Sequence, residues 1–264
     1  MFGDYLERWR LTADGAPIIT HSSRLLPVRR AGEPAMLKIA LHPEEQLGGR
    51  LMAWWDGRGA ARVLAHDDDA LLMERACEGT SLADLARSGH DDQATRIICA
   101  AVARLHVIGS TPAFDLVPLA EWFEPLPSMA EAHGGVLRDS AAAASELLRT
   151  QRDIVALHGD IHHGNVLDFG PRGWLVIDPK GLVGERGYDY ANLFCNPDEA
   201  TAATPGRMAR QLEIVAAAAN SDRRRLLQWI VAWAGLSAMW MPELDLSPRG
   251  RLRVAEIAAS ALRG

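Results

Sequence analysis

The amino-acid sequence predicts an α/β (α+β) fold with two lobes, a small β-rich lobe followed by a larger helical lobe. Short β-type runs separated by charged turns fill the first 75 residues, whereas Ala/Leu/Arg segments of helical period dominate the remainder. The composition changes near Glu78-Gly79-Thr80, and the 264 residues, 48% of them hydrophobic, can bury a full core. We therefore predict one domain over residues 1–76 and a second over residues 77–264.

The small lobe is predicted to follow the order strand, strand, helix, strand, strand. Its helix begins at Pro43-Glu44-Glu45, where acidic residues favour the positive end of the helix dipole. Residues 31–34, Ala-Gly-Glu-Pro, are expected to form a hairpin turn. The helix has an apolar face of Leu47, Leu51, Trp54 and Trp55, and the strands span residues 17–20, 35–40, 61–64 and 70–74.

The larger lobe is predicted to be helical apart from one segment of strands and loops. Ser81 is expected to cap its first helix. A polar loop at residues 158–165 lies between two β-type runs at residues 155–158 and 173–177, so the chemistry is expected there. The predicted helices span residues 81–87, 94–105, 140–150, 189–194, 205–219, 223–240 and 251–262.

Composition and charge exclude several classes of protein. The formal net charge of −6 argues against a nucleic-acid-binding surface, which needs clustered Lys and Arg, and it suits a cationic ligand. No apolar run approaches the roughly 18 residues of a membrane span, and the first ten residues contain acids where a signal peptide would be basic and then apolar. We expect a soluble, cytoplasmic protein. The chain has three cysteines, Cys77, Cys99 and Cys195, which lie far apart in sequence. This spacing predicts buried free thiols.

Three side chains with hard oxygens, Asp160, Asn165 and Asp178, lie at loop ends between the predicted strands. Phosphoryl transfer needs a carboxylate to accept the proton of the acceptor hydroxyl, oxygen ligands for Mg²⁺ and a cation on the phosphates. Asp160 can orient the hydroxyl and accept its proton. Asn165 and Asp178 can bind Mg²⁺, which rarely needs an all-carboxylate site. This segment therefore supplies candidates for a phosphotransferase site.

The same segment resembles a known family. His158-Gly-Asp-Ile-His-His-Gly-Asn165, with the later Asp178, has the H-x-D-x₄-N spacing of protein-kinase-like folds. Its His-Gly-Asp-x-His-x-x-Asn pattern is similar to that of aminoglycoside phosphotransferases, and Gly187-Tyr-Asp-Tyr-Ala-Asn192 is similar to their segment after the metal-binding Asp. The resemblance implies a two-lobed protein-kinase-like fold and an enzyme that uses ATP and Mg²⁺.

The resemblance extends to the small lobe and implies its nucleotide-binding residues. Lys38 lies in Ala-Met-Leu-Lys-Ile-Ala, which is similar to the strand whose Lys contacts the α- and β-phosphates, and Glu45 would be its ion-pair partner. Leu-Leu-Met-Glu-Arg-Ala at residues 71–76 is similar to the hinge between lobes. There the backbone of Glu74 and Ala76 would hydrogen-bond adenine.

Within this family, the sequence most resembles the streptomycin 6-kinase branch, which also includes hydroxyurea phosphotransferases. The resemblance implies 6-phosphorylation of streptomycin, a cationic aminocyclitol, with antibiotic resistance as the consequence. It also implies a monomer or weak dimer without nucleic-acid or membrane partners. The segments that carry it are residues 21–23, 54–62, 173–179 and 181–186.

Two departures from the wider kinase pattern have consequences. Residues 20–30 contain no Gly-rich phosphate loop, so Ser22 and Ser23 become the candidates for covering the phosphates. Asp178-Pro179-Lys180 stands in place of the Asp-Phe-Gly triplet. The absence of the mobile Phe implies a constitutively active enzyme.

Several of the polar residues have a structural or a different catalytic interpretation. His158 is expected to brace its loop, and Asp189 to anchor that loop from the start of a helix. His162 and His163 could bind Zn²⁺ in a metallophosphoesterase. Such hydrolases need an earlier Asp-x-His, whereas the one in this chain, Asp160 to His162, overlaps the Gly-Asp itself.

Other functions stay open at this point. A kinase of the same mechanism could act on hydroxyurea or another small hydroxylated or amine substrate. A binding protein of the pseudokinase type would not catalyse transfer. The joint presence of Lys38, Asp160, Asn165 and Asp178 favours an active kinase.

The acceptor pocket is expected on the larger lobe. Trp229, Trp233 and Trp240 recur at helical spacing, which is typical of a core but also suits contact with a guanidinium group. Carboxylates could pair with the same group. The candidates by charge and position are Asp198, Glu199, Glu213, Glu243 and Asp245.

Overall fold

The computed structural model describes residues 2–241 and 246–264, and it has the predicted two-lobed α+β architecture. A six-stranded antiparallel sheet and two helices form the small lobe. The strand order is β1-β3-β4-β6-β5, with β2 beside β3. These elements are β1 (Leu11–Ala13), β2 (Ile18–Ile19), β3 (Ser23–Arg30), β4 (Glu33–Ala40), β5 (Val63–His66), β6 (Ala70–Glu74), α1 (Gly3–Arg8) and α2 (Pro43–Trp55).

Strand β4 separates two apolar cores, because alternate residues of a strand point to opposite faces. Leu37 and Ile39 are buried with Leu72 in a core that packs against α1. Lys38 points the other way and lies opposite Leu71 in the register of β4 and β6. Leu71 belongs to the core shared with the larger lobe. The sheet therefore presents Lys38 to the cleft between the lobes.

The hairpin between β3 and β4 is tighter than predicted. Arg30 pairs with Glu33, so Ala31 and Gly32 alone form the turn. Both have positive φ angles, 51° and 86°, as a two-residue hairpin turn of this kind requires. Strand β4 thus begins at residue 33 instead of 35.

Strand β3 is absent from the sequence-based prediction. Its Leu26 and Val28 are buried, but Pro27 and the flanking arginines interrupt the apolar pattern that would indicate a strand. The strand forms because it pairs with β1 on one side and β4 on the other. The predicted strand at residues 17–20 is reduced to β2, and the one at 61–64 is shifted to β5.

The larger lobe is mostly helical, as predicted. A π-helix, Ala86–His90, joins its first two helices, and 3₁₀ helices span Gly170–Arg172, Arg186–Tyr190 and Asn192–Cys195. Its strands are β7 (Val117–Pro118), β8 (Ile154–Leu157), β9 (Val166–Asp168), β10 (Trp174–Val176) and β11 (Leu182–Glu185). Its helices are α3 (Leu82–Leu85), α4 (Asp91–His106), α5 (Leu119–Trp122), α6 (Leu126–His133), α7 (Val136–Arg149), α8 (Glu199–Ala202), α9 (Arg207–Ala219), α10 (Arg223–Trp240) and α11 (Arg249–Arg263).

Helix α4 begins at Asp91 instead of the predicted residue 94. The Asp91 carboxylate accepts two hydrogen bonds from the buried Arg207 guanidinium of α9, at 2.8 and 3.0 Å. A partner this distant in sequence leaves no local signal for the start of the helix. Ser81 caps α3 as predicted, since its Oγ accepts from the Asp84 N–H at 3.3 Å.

The strands of the larger lobe place the polar loop at the base of the cleft. Strands β9 and β10 form a hairpin in which Asp168 pairs with Trp174, and β11 pairs with β8. The loop that joins β8 to β9 carries Asp160 and Asn165, and Asp178 follows β10. Three strand ends therefore bring these side chains together.

Helix α2 lies directly on the segment after β10. A Cβ atom at Gly48 would lie 2.1 Å from the Pro179 carbonyl oxygen, and one at Gly181 would lie 2.5 Å from Leu47. Neither position can hold a larger side chain at this distance. The two glycines let the small lobe's helix approach residues 178–181, and this brings Glu44 and Glu45 to Lys180.

The three cysteines are unpaired, but they do not share one environment. Cys99 and Cys195 are buried, as predicted, whereas Cys77 is exposed. The prediction of a buried Cys77 is wrong because this residue follows the hinge at the surface. Among the helices in the described part of the chain, none is both long and apolar enough to cross a membrane.

Candidate active site

The loop between β8 and β9 is braced by His158. Its ring is fully buried, Nε2 donates to the Ile177 carbonyl at 2.7 Å, and Nδ1 accepts from the Asp160 N–H at 3.2 Å. Burial lowers the pKa of His158 below its ordinary value, so the ring is neutral. Both ring nitrogens are used to hold the loop, which confirms the predicted structural role.

Asp189 anchors the same loop from beneath. Its carboxylate accepts from the backbone N–H groups of His158 at 3.0 Å and Gly159 at 2.8 Å, and it lies 2.8 Å from Nε2 of His106. The Asp189 side chain is completely buried. A buried carboxylate is stable only with such partners. The predicted anchoring role of Asp189 is therefore confirmed.

Two amides hold the Asp160 carboxylate. Asn192 Nδ2 donates to its Oδ1 at 2.7 Å, and Asn165 Nδ2 lies 3.4 Å from its Oδ2. Asn196 Nδ2 in turn donates to Asn192 Oδ1 at 2.6 Å. The Asp160 side chain is 30% exposed and lines a cavity. It is thus both fixed in orientation and open to a ligand.

Lys38 joins the lobes through two carboxylates. Its ammonium pairs with Glu45 of α2 and with Asp178 of the larger lobe. Although burial opposes ionisation of Asp178, the Lys38 ammonium holds its pKa below the ordinary value. The ion pair between Lys38 and Glu45 has the form expected from the sequence, and Glu44 does not replace Glu45.

Asn165 and Asp178 bring two hard oxygens to one place. The Ile177 N–H donates to the Asn165 carbonyl at 3.0 Å, which ties Asn165 to the strand end that precedes Asp178. Asn165 Nδ2 donates to the Asp160 carbonyl at 2.9 Å, so its Oδ1 is left as an acceptor. Lys38 contacts only Oδ1 of Asp178. Such oxygen donors fit Mg²⁺.

Lys180 lies on the other side of Glu45. Its Nζ is 2.8 Å from Glu44 Oε1 and 3.2 Å from Glu45 Oε1. Burial alone would lower the pKa of Lys180, but the carboxylates of Glu44, Asp160 and Glu45 raise it above its ordinary value. The ammonium is therefore charged, and it borders the same cavity as Asp160.

The two serines expected near the phosphates differ in what they can donate. Ser23 is buried, and its backbone N–H already donates to Thr20 Oγ1 at 3.0 Å. Ser22 lies in the turn between β2 and β3, where its carbonyl accepts from the Leu41 N–H at 2.9 Å. The Ser23 amide is thus occupied within the hairpin, which leaves Ser22 as the better candidate.

The hinge residues expected to bind adenine follow β6. The Glu74 side chain is used structurally, because it accepts from the Arg62 N–H at 2.6 Å and pairs with Arg172. In the described part of the chain, the Ala76 N–H has no hydrogen-bond acceptor. The backbone of Glu74 and Ala76, rather than either side chain, is what the hinge offers to a base.

A cavity of 570 Å³ opens beside Asp160. Trp122, Trp233 and Trp240 line it, and the rings of Trp122 and Trp240 lie 5.3 Å apart. The Arg251 guanidinium lies 5.3 Å from the Trp233 ring centre. Trp229, by contrast, is fully buried in the core. Of the three tryptophans predicted near the acceptor, Trp229 therefore belongs to the core, whereas Trp233 and Trp240 line the cavity.

The acidic residues proposed for the acceptor pocket do not line this cavity where they are described. Asp198 pairs with Arg87 and caps α8, and Glu213 pairs with Arg223 on the surface. Glu199 is exposed elsewhere. Selection by charge alone was wrong for these three. Glu243 and Asp245 lie outside the described residues.

The two loop histidines have different surroundings. His162 Nε2 lies 3.7 Å from Asp160 Oδ2 and borders the cavity. His163 is buried, its ring nitrogens have no partner among the described residues, and burial lowers its pKa to about 4. No group of three or more His, Cys, Asp or Glu side chains in residues 2–241 and 246–264 forms a metal-binding cluster. The zinc-site interpretation thus lacks a ligand set in this part of the chain.

Two residues of the site were not among the predicted site residues, Asn192 and Lys180. Asn192 ends a family-like segment, but its position in sequence does not reveal that it contacts Asp160. The rarity of lysine in this chain could have singled out Lys180. Lys38 and Lys180 are the two lysines of a chain with 28 Lys and Arg residues.

Comparison with known proteins identifies the family. The family model of the aminoglycoside/hydroxyurea antibiotic resistance kinases matches the sequence over residues 8–244. A streptomycin 3''-kinase from Klebsiella pneumoniae is 54% identical over 240 residues, which cover 89% of this chain and 90% of that protein. A streptomycin 6-kinase from Streptomyces glaucescens is 31% identical over 276 residues, with coverage of 99% and 88%. A hydroxyurea phosphotransferase from Kitasatospora aureofaciens is 31% identical over 270 residues, with coverage of 96% and 76%.

Solved structures share the fold at low sequence identity. A thermostable mutant of the aminoglycoside phosphotransferase APH(4)-Ia, in ternary complex with ADP and hygromycin B, has a TM-score of 0.60 at 14% identity, with 97% of each chain covered. An ethanolamine kinase from Plasmodium vivax has a TM-score of 0.63 at 14% identity, with coverage of 94% of this chain and 82% of that one. The kinase-like fold and the family expected from the sequence are confirmed. The chain belongs to the aminoglycoside/hydroxyurea antibiotic resistance kinase family.

Proposed function

We propose that this protein is an ATP-dependent kinase that phosphorylates a hydroxyl group of streptomycin. The observation that carries the proposal is the assembly of Lys38, Asp160, Asn165 and Asp178 in one cleft, beside a cavity of 570 Å³ with an aromatic wall. The 54% identity to a streptomycin 3''-kinase supports streptomycin as the acceptor.

Each side chain of the cleft has a defined task in the proposed reaction. The Lys38 ammonium binds the α- and β-phosphates, and Glu45 keeps it oriented. Because Lys38 also contacts Asp178, we expect arriving phosphates to replace this second contact. The backbone of Glu74 and Ala76 binds adenine. Asp160 accepts a hydrogen bond from the acceptor hydroxyl and takes its proton as the hydroxyl oxygen attacks the γ-phosphorus.

The oxygens of Asn165 and Asp178 are suited to hold Mg²⁺, which would neutralise charge on the nucleotide phosphates when bound. The chain's own contribution is to keep these oxygens in place. The backbone bond from Ile177 to Asn165 and the left-handed conformation of Asp178, with φ of 66°, do this. A non-glycine residue in that conformation is uncommon and is often found at functional sites.

The cavity beside Asp160 suits a guanidinium-bearing acceptor. Planar guanidinium groups stack on aromatic faces, and Trp122 and Trp240 are partly exposed towards the cavity. The chain itself contains such a contact, between Arg251 and Trp233. Hydroxyurea, by comparison, has too few atoms to fill this cavity. We therefore assign the aromatic wall to the guanidinium groups of streptomycin.

The relatives include kinases for two positions of streptomycin. The sequence resemblance implied the 6-position, and the 6-kinases are about one-third identical, for example 31% in Streptomyces glaucescens. The Klebsiella pneumoniae 3''-kinase is 54% identical. Because the 3''-kinase shares more of its sequence with this chain than the 6-kinases do, we propose the 3''-hydroxyl as the phosphorylated group.

An ADP-release assay with an acceptor panel tests this assignment. Streptomycin, a 2-deoxystreptamine aminoglycoside, hydroxyurea and no acceptor are compared with ATP and Mg²⁺, and the streptomycin product is analysed by phosphorus and proton NMR. We expect turnover with streptomycin and a phosphate at the 3''-position. A phosphate at the 6-position would contradict the regiochemistry, and turnover with hydroxyurea alone would contradict the acceptor.

Asn192→Leu tests the support of the Asp160 carboxylate. The replacement removes the 2.7 Å hydrogen bond to Asp160 Oδ1. A hydrogen bond to a charged group contributes about 1.5–3 kcal/mol, so we expect kcat to fall about 10- to 100-fold. The KM values for ATP and acceptor should stay within about twofold, since Asn192 acts through Asp160.

Asn196→Ala is the graded control for this experiment. It removes the two hydrogen bonds behind Asn192, to its Oδ1 at 2.6 Å and to its carbonyl at 2.9 Å, and leaves the bond to Asp160. We expect a smaller loss of kcat than for Asn192→Leu. An Asn192→Leu enzyme with wild-type kcat, or with a raised KM as its main defect, would show that Asn192 does not position Asp160.

A further inference from the structure

We propose that Lys180 is a second catalytic cation, which donates a hydrogen bond to the transferring phosphoryl group from the acceptor side of the cleft. This inference rests on the proposed kinase function and adds a residue to its machinery. It starts from the contacts of Glu45. One carboxylate oxygen of Glu45 contacts the Lys38 ammonium and the other contacts the Lys180 ammonium.

The use of lysine at these two positions is specific. The chain has 28 Lys and Arg residues, and 26 of them are arginine. The two lysines, far apart in sequence, meet on the same carboxylate. Arginine presents a planar fork of donors, whereas lysine is a compact point charge with three donors on a flexible stem. The two lysine side chains of the chain therefore meet where phosphates are expected.

The geometry leaves Lys180 a donor for a ligand. Glu45 accepts a hydrogen bond from its ammonium at 3.2 Å, Glu44 forms an ion pair with it at 2.8 Å, and an ammonium has three N–H groups. Lys180 and Asp160 line the same cavity. The stem of Lys180 runs along the catalytic loop, since a Cβ atom at Gly159 would lie 3.0 Å from the Lys180 Cβ. The remaining donor thus borders the space between Asp160 and the nucleotide side.

Lys38 is oriented by a carboxylate in the same way as Lys180. Its ammonium is oriented by Glu45, and it binds the phosphates of the nucleotide when they replace its contact with Asp178. Lys180 is oriented by the other oxygen of Glu45, on the side of the acceptor cavity. One carboxylate therefore positions two cations, one for each side of the transferred group.

Lys180 keeps its proton and its charge throughout the proposed transfer step. The acceptor oxygen forms a bond to the γ-phosphorus, and the bond from the γ-phosphorus to its bridging oxygen breaks. The electron pair of that bond stays on ADP, and the hydroxyl proton passes to Asp160. Lys180 remains an ammonium and donates to an oxygen of the transferring group, where negative charge is spread in the transition state.

Lys180→Met should lower kcat by about 10²- to 10³-fold, the usual loss when one donor to a transition-state oxyanion is removed. A purely structural clamp between the lobes would instead weaken the binding of every nucleotide. The two roles are separated by comparing Mg·ADP with Mg·ADP plus fluoroaluminate, which mimics the transferring phosphoryl group. For Lys180→Met we expect an affinity for Mg·ADP within about threefold of wild type and about a 100-fold loss of the added affinity from fluoroaluminate.

Lys180→Arg and Lys180→Gln complete the series. The arginine variant keeps the charge and should recover part of the fluoroaluminate-dependent affinity, whereas the glutamine variant should not. Equal losses for both ligands, or no loss, would overturn the assignment of Lys180. If wild type itself gains no affinity from fluoroaluminate, the kinase function fails, and the inference fails with it.

A measurement on the wild-type protein does not depend on the folding of any variant. Because the chain has two lysines, isotope labelling at lysine Cε gives two side-chain NMR signals. We expect Mg·ADP to shift the Lys38 signal and subsequent fluoroaluminate to shift the Lys180 signal. A Lys180 signal that does not respond to fluoroaluminate would contradict the proposed contact.

Discussion

Asp160→Ala is expected to lower kcat by about 10²- to 10⁴-fold, the usual range when a general base is removed. The Asp160 carboxylate is held by Asn192 at 2.7 Å and is 30% exposed at the cavity. His158 is not suited to the role, because both of its ring nitrogens are engaged in backbone contacts. Steady-state kinetics with ATP and streptomycin measure the effect.

The fold should tolerate the Asp160→Ala change, because the side chain is partly exposed. Thermal unfolding of wild type and variant checks this point. Asp84→Ala is the matched control, since Asp84 is 76% exposed and pairs with Arg87 on the surface, and it should leave turnover unchanged. Near wild-type turnover of the Asp160→Ala enzyme would remove Asp160 from the proposed mechanism.

Asp189→Ala is expected to reduce the free energy of unfolding by about 3–5 kcal/mol. The Asp189 carboxylate is completely buried and accepts from the backbone N–H groups of His158 and Gly159, with His106 as a third partner. Alanine would leave buried donors without an acceptor, and each such donor costs about 1–3 kcal/mol. Urea unfolding measures the change.

Asp198→Ala is a suitable comparison for this stability effect. Asp198 caps a helix and pairs with an arginine, and its side chain is 37% exposed. The loss of an exposed cap costs about 1 kcal/mol. A destabilisation of Asp189→Ala no larger than that of Asp198→Ala would show that Asp189 is not the anchor of the catalytic loop.

Much of the fold could be predicted from periodic patterns. Helices α4, α7, α9, α10 and α11 have apolar faces that local sequence reveals, and the alternation in β4 and β6 is equally clear. Strand β3 could not be recognised, since Pro27 and its arginines obscure the pattern and pairing on both sides stabilises it. Strand β7 has two residues and is too short to produce a periodic signal.

The loop residues of the candidate site could be named from sequence because they lie within one dense segment. Asp160, Asn165 and the bracing His158 are separated by at most seven positions. Contacts across the cleft could not be derived in the same way. The meeting of Lys180 with Glu44 and Glu45 depends on the close approach of α2 at Gly48, which is a property of the packed lobes.

The proposed acceptor pocket was the least predictable part of the site. Charge suggested Asp198 and Glu213, but their carboxylates are engaged by Arg87 and Arg223. The cavity beside Asp160 instead has an aromatic wall in its described part, with Trp122 from a short helix that the sequence did not indicate. A pocket assembled from several elements has no sequence pattern of its own.

The most direct test of the account follows the γ-phosphate itself. ATP with a radioactive γ-phosphorus is incubated with the protein, Mg²⁺ and streptomycin, and the label is located after separation of the products. We predict that wild type transfers the label to streptomycin and that Asp160→Ala transfers almost none. Label found in inorganic phosphate would indicate a hydrolase, and label that stays in ATP with wild type would contradict the kinase function.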